Sequence, residues 1–246
     1  MEKNSISVII LSLNEAGNIK SVVNSVFESL QKSGLSDYEL ILVDGGSNDG
    51  TGKIIDELSL KNENIRAIHN PPKKGLGHDF KTGISLASKN YVGWLPGDNE
   101  VHPETINNIF KEIGKTDVII PVYTTKPLGR SRYRRTLSAI YVVLFNTIFG
   151  LHLRYFNGPC FFRRQALKEI VMSTDGPAYM AEILVQLIKK GVSYVEVPMY
   201  FKARDYGKTS VLKWKNVYLI AETIIRLFFR LHFHHNKRNK GEISAG

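Results

Sequence analysis

Leu42-Val-Asp-Gly-Gly-Ser-Asn-Asp-Gly-Thr51 ends a β-branched apolar run in a cluster of glycines, aspartates and hydroxyls, and a helical pattern, Gly52 to Leu60, follows it. A strand that stops in turn formers and leads into a helix is the opening of a strand, crossover, strand unit. The same alternation repeats on both sides. Strands are expected at Ile6 to Leu11, Glu39 to Asp44, Arg66 to His69, Tyr91 to Leu95 and Val118 to Pro121. Helices fall between them at Ala16 to Gln31, Gly52 to Leu60, Gly77 to Ser88 and Pro103 to Ile113. This order predicts an α/β fold with a mostly parallel central sheet flanked by helices. Such sheets bind ligands beyond the carboxyl ends of their strands. The residues placed there are Asn14-Glu15, Asp44 to Thr51 and Pro96-Gly-Asp-Asn-Glu100.

A chain of 246 residues that is 43% hydrophobic can bury a full core, which excludes disorder and suits one domain with an appendage. The single cysteine, Cys160, excludes an intrachain disulfide and a multi-cysteine metal site, and it is compatible with the cytoplasm. No signal peptide is evident, and the longest apolar stretches, Leu137 to Phe149 and Val217 to Phe233, carry polar or charged residues unsuited to a membrane span. Residues 1–125 hold 12 Lys/Arg against 16 Asp/Glu, while residues 126–246 hold 21 against 7. A basic half points to phosphate, on nucleic acid, anionic lipid or a phosphorylated substrate. Its cations lie beside apolar helices rather than among exposed aromatic platforms, which argues against nucleic acid.

Three strand ends or loops carry chemistry. In the first, Asp44 can accept hydrogen bonds from a base or ribose, or make an Asx turn, and Asp49 is expected to be structural. In the second, Asp98 and Glu100 can offer hard oxygen ligands to Mg²⁺ or Mn²⁺, or stand in a solvated turn. In the third, Lys202-Ala-Arg-Asp-Tyr-Gly-Lys-Thr-Ser210, the cations Arg204 and Lys208 flank a glycine, as a phosphate site or a solvated basic loop would.

In this order the motifs resemble those of family 2 glycosyltransferases, in particular dolichol-phosphate mannose synthases and related polyprenyl-phosphate sugar transferases. The likeness runs over residues 5–212. Ser-Val-Ile-Ile-Leu-Ser-Leu-Asn-Glu15 looks like the family's first strand, Val43 to Thr51 like its Val-Asp-Asp-Gly-Ser-Thr-Asp-Gly-Thr, and Lys74-Gly-Leu-Gly77 with Gly83 and Tyr91-Val92 like the segment that follows. Glu196-Val-Pro198, Arg204 and Gly207-Lys208 match later signatures. The departures are Leu11 for proline, Leu13 for tyrosine, Gly45 for a second aspartate, and Pro96-Gly97-Asp98 for Asp-X-Asp, with Glu100 where many relatives have glutamine.

The resemblance implies a GT-A fold and an inverting transfer of a hexose from a nucleotide-diphosphate sugar, with a divalent cation (Mg²⁺ or Mn²⁺). It implies that Asn14, Glu15, Asp44, Gly46, Ser47 and Asp98 hold the donor, that Asp98 and Glu100 hold the metal, and that Arg204 and Lys208 contact phosphate. The implied acceptor is a polyprenyl phosphate or another lipid-linked molecule. Arg134, Arg135 and Ser138, in a basic loop and the helix Thr136 to Phe149 after it, resemble the acceptor side, as does the loop at Asn157-Gly-Pro. Glu182 can act as a base for a hydroxyl acceptor or simply complement a helix dipole. Glu222, Arg226, Arg230 and His234 form one polar stripe on an otherwise apolar helix that can lie in a membrane interface or pack on the domain. The expected division is a GT-A domain over 1–212, with an interface helix near 130–151, and an amphipathic helix with a basic tail over 213–246, all at the cytoplasmic face of an anionic membrane. A glycan hydroxyl acceptor and a non-catalytic nucleotide-binding module are the competing expectations.

Overall fold

The computed structural model describes residues 4–71, 74–124, 132–202 and 214–241. The first half alternates as expected: β1 (Ser5–Ser12), α1 (Ile19–Ser33), β2 (Asp37–Asp44), α2 (Thr51–Lys61), β3 (Ile65–His69), α3 (Leu76–Leu86), β4 (Tyr91–Pro96), α4 (Pro103–Phe110) and β5 (Val118–Tyr123). The second half adds α5 (Arg132–Phe149), β6 (Phe161–Arg163), α6 (Arg164–Leu167), α7 (Tyr179–Lys189), β7 (Tyr194–Met199) and α8 (Trp214–Gly241).

The seven strands lie in the order β3-β2-β1-β4-β6-β5-β7, parallel except for β6, which runs antiparallel to both neighbours. Every residue of β1 is buried, because a central parallel strand has helices over both faces; its middle, Val8 to Leu11, is apolar throughout, and Ser5 and Ser7 hydrogen-bond to neighbouring segments. One face packs Ile9, Ile41 and Val43 with Phe80, Phe145, Leu184 and Leu227 of α3, α5, α7 and α8. The other packs Ile10, Leu40 and Leu42 with Val26, Ile55 and Ile109 of α1, α2 and α4. Pro103 opens α4, where the His102 ring nitrogen accepts the Glu104 N–H at 3.2 Å.

Three expectations shift. β6 and α6 have no separate signal, since three strand residues are too few to show a period. The strand that the sequence predicts over Tyr194 to Phe201 is β7, which ends at Met199, and Phe201 instead makes an isolated bridge with Val101. The basic segment is part helix, because α5 begins at Arg132, so Arg134 and Arg135 lie in its first turn rather than in a loop. Among the described residues no helix is long and apolar enough to cross a membrane.

Candidate functional site

The ends of β1 and β2 are joined by side chains. The Asn14 N–H donates to Ser47 Oγ at 2.8 Å, and the Asn48 N–H returns to Asn14 Oδ1 at 2.9 Å. Asn14 adopts φ +58° to do this, a left-handed conformation that asparagine tolerates. The Glu15 N–H donates to Thr51 Oγ1 at 2.8 Å, and the buried Glu15 carboxylate accepts from Asn18 at 2.6 Å. Asp49 ties the loops together, taking the Ala16 N–H at 3.0 Å on one oxygen and the Thr51 N–H and hydroxyl on the other. Burial would raise its pKa, but the bonds from Thr51 and Ala16 outweigh it and hold the carboxyl below the usual range. Asp49 therefore has a structural place here.

Asp44 does two things. Its Oδ1 accepts the Ser47 N–H at 3.0 Å and the Ser47 hydroxyl, closing the turn in which Gly46 takes φ +90°. Its Oδ2 lies 3.7 Å from His69 Nδ1, while His69 Nε2 sits 2.9 Å from Asp56. The bond to Asp56, only partly opposed by burial, raises the His69 pKa, and Asp44 adds to the shift. The sequence reading missed His69, Asn70 and Asp79, which the ends of β3 and α3 bring to the same edge. His69 carried a signal, since it ends an expected strand, whereas Asp79 carried none that said which strand end it would face.

Beyond β4, Pro96 closes the strand, and the Gly97 N–H donates to Leu11 O at 2.9 Å. A Cβ on Gly97 would stand 2.5 Å from Ser12 Oγ, so only glycine lets this turn close onto β1. Asp98 is half-buried and accepts the Glu100 N–H at 3.1 Å, in a two-residue Asx turn. Asn99 between them is buried at φ +60°.

Arg135 and Ser138 are half-buried on α5, and Arg204 and Lys208 lie outside the described residues. Glu182, in the first turn of α7, is 1% exposed. It accepts the N–H groups of Ser173 at 2.9 Å and Thr174 at 3.1 Å, the Ser173 hydroxyl, and Arg230 Nη1 at 3.1 Å. On α8, Arg230 turns into the protein and also donates to Val171 O, while Arg226, itself exposed, pairs with Glu222 and reaches Ser173. The same helix turns Ile225, Phe228 and Phe229 to solvent.

A model described as glycosyl transferase family 2 matches residues 7–171. The chain belongs to that family. The glycosyltransferase is 26% identical over 212 residues to the polyprenol monophosphomannose synthase of Mycolicibacterium smegmatis, spanning 81% of this chain and 78% of that one. It is 26% identical over 233 residues to an uncharacterised protein of Methanocaldococcus jannaschii, spanning 90% of this chain and 98% of that one. In three dimensions it is similar to the glucosyl-3-phosphoglycerate synthase of Mycobacterium tuberculosis, solved with Mn²⁺, uridine diphosphate and glucosyl-3-phosphoglycerate. The TM-score is 0.65 at 17% identity, with 92% of this chain and 79% of that one covered. The sheet and its flanking helices are those of the GT-A fold.

Among the described residues of the glycosyltransferase, no three His, Cys, Asp or Glu side chains gather as a self-sufficient metal cage. The Asp98 to Glu100 turn instead presents two carboxylates at a strand end, a donor set that fits a hard cation which keeps water and takes the rest of its shell from a diphosphate.

Proposed function

We propose that this glycosyltransferase moves a hexose from a nucleotide-diphosphate sugar to a polyprenyl phosphate at a membrane surface, with inversion at the anomeric carbon. Asn14, Glu15, Asp44, Gly46 and Ser47 form the donor cradle, and Asp98 with Glu100 holds a divalent cation against the diphosphate. Such a cation stabilises the negative charge gathering on the leaving group. An acceptor phosphate oxygen attacks the anomeric carbon, and the bond to the β-phosphate oxygen breaks, that oxygen keeping the electron pair. Arg134, Arg135, Ser138, Arg204 and Lys208 supply charge and hydrogen bonds to the phosphates. The first turn of α5 supports this role, since arginines oppose a helix's positive end unless an anion is brought there.

The observation that carries the acceptor reading is the outward face of α5 and α8. Tyr133, Ile140, Val143 and Leu144 of α5, and Val217, Tyr218, Ile225, Phe228 and Phe229 of α8, are exposed, while Arg230 of α8 reaches inward to the buried Glu182. Helices that expose so many large apolar side chains suit an apolar medium rather than water. The enclosure of Glu182 fits as well. A phosphate monoester is ionised at neutral pH and attacks without a base, so a carboxylate with both oxygens bonded inside the protein suffices as a positioning group.

The test is transfer of label from a panel of nucleotide sugars to polyprenyl phosphate in detergent, with and without chelator, followed by organic extraction. Chelator-sensitive label in the organic phase is the expected result. Label that goes only to hydroxyl acceptors overturns the phosphate reading, and no turnover of any donor overturns the enzymatic one.

A further inference from the structure

Gly45 follows β2 directly, where the resembled motif has a second aspartate, and its N–H donates to Ser12 O at 2.9 Å. A Cβ there would lie 2.7 Å from Asp79 Oδ2 and 3.5 Å from Asp79 Cγ. The space a side chain at 45 would enter is already filled by a carboxylate, delivered from the first turn of α3 instead of from the strand end.

Asp79 is poorly suited to a merely structural place. It is 8% exposed and neighbours the fully buried Phe80. Among the described residues, Oδ1 takes one hydrogen bond, from Asn70 Nδ2 at 3.0 Å, while Oδ2 takes none and no salt bridge reaches it. Burial raises its pKa, the Asn70 bond and His78 oppose this, and the charges of Asp44 and Asp175 add to it. A buried carboxylate so lightly compensated lowers stability, and such groups gather where a ligand completes them.

The strand order says which part of the donor meets it. Along the sheet edge β3-β2-β1-β4, Asp98 follows β4, Asn14 follows β1, Asp44 ends β2 and Asn70 follows β3. With the diphosphate at Asp98, the base reaches farthest along that edge, to the ends of β2 and β3, beside Asp79.

We infer that Asp79 is a specificity-determining residue of the donor site, whose carboxylate replaces the side chain missing at Gly45 and accepts a ring N–H of the base. This rests on the donor-site reading above. A carboxylate attracts N–H and repels a bare nitrogen lone pair. It therefore favours guanine, with N1–H, or uracil, with N3–H, over adenine and cytosine, whose corresponding ring nitrogens carry no hydrogen. Ribose hydroxyls are common to all four and give no such preference.

The experiment is calorimetric titration of the full chain with GDP, UDP, CDP and ADP in Mn²⁺. Wild type should bind GDP or UDP at least about tenfold tighter than CDP and ADP, as expected of a hydrogen bond to a charged group. Asp79→Asn should weaken the preferred nucleotide about ten- to hundredfold, leave CDP and ADP nearly unchanged, and melt no lower than wild type. Returning the carboxylate to the strand, as Asp79→Ala with Gly45→Asp, should recover part of the preference. Unchanged discrimination in Asp79→Asn, or equal weakening of all four nucleotides, overturns the inference and leaves the donor site standing. If wild type binds none of the four, the donor-site reading falls and this inference with it.

Discussion

Arg230 on α8 donates from Nη1 to Glu182 Oε1 on α7 at 3.1 Å, into a carboxylate that also accepts the backbone N–H groups of Ser173 and Thr174. The segment it anchors continues to Asp175, which pairs with Lys81 of α3 at 2.5 Å and packs against Gly77, where a Cβ would meet Asp175 Cα at 2.9 Å. One buried acceptor therefore ties the solvent-facing helix α8 to the loop beside the donor cradle.

Glu182→Ala strands a guanidinium and two amide N–H groups, and should cost about 3–5 kcal/mol of stability, measured by urea unfolding. Arg230→Met removes one donor of several and should cost less, about 1–2 kcal/mol. A Glu182→Gln variant of wild-type stability that has lost transfer more than about a hundredfold would identify the residue as a base instead.

Asp98→Ala should abolish detectable transfer while leaving the protein folded and cooperatively melting, because the side chain is only half-buried. Full activity in this variant would remove the metal site.

Pro96 stands where the resembled motif has its first carboxylate, at the end of β4 opposite Leu11. Pro96→Asp should tighten Mn²⁺ binding in the presence of nucleoside diphosphate about tenfold or more, at a cost near 1 kcal/mol for the lost rigidity of proline. Paramagnetic titration with Mn²⁺ checks the first and thermal melting the second.

His69 has a raised pKa, so its pairing with Asp56 and Asp44 contributes stability that is fully present below the unfolded value near 6.5 and is lost as pH rises through the higher folded value. The ring is 42% exposed, so the effect is screened to well under about 1 kcal/mol. The stability gap between wild type and His69→Gln should be larger at pH 5.5 than at pH 8.5. A gap that grows with pH would contradict the assigned contacts.

Phe228 and Phe229 are 39% and 54% exposed. If α8 meets lipid, replacing both with serine should weaken sedimentation with anionic vesicles about tenfold or more while leaving thermal stability unchanged or improved, since each side chain contributes about 1.5–3 kcal/mol when buried in an apolar phase. Equal sedimentation of both proteins would point the apolar face elsewhere.

The first four strands were legible because parallel strands buried on both faces read as largely apolar runs, and each of these ends at or within two residues of glycine, aspartate or asparagine. Asp44, Asn14 and Asp98 were legible for the same reason: a strand end is marked in the sequence, and ligands meet such sheets there. β6 was not, as its three residues pair with β4 and β5 only because the chain returns across the sheet. Asp79 was missed because a charge four residues into a helix pattern gives no hint of which strand end it will face.

By itself the sequence determined the fold class, the strand ends where the candidate site lies and the family, because periodicity and turn chemistry are local and motif order survives along the chain. Only the tertiary structure decided that Asp79 fills the space beside Gly45, that Glu182 is enclosed, and that α8 turns Arg230 inward and its phenylalanines out. Those outcomes depend on which surfaces meet across long sequence separations, and a helical stripe of charge reads the same whether water or a buried carboxylate awaits it.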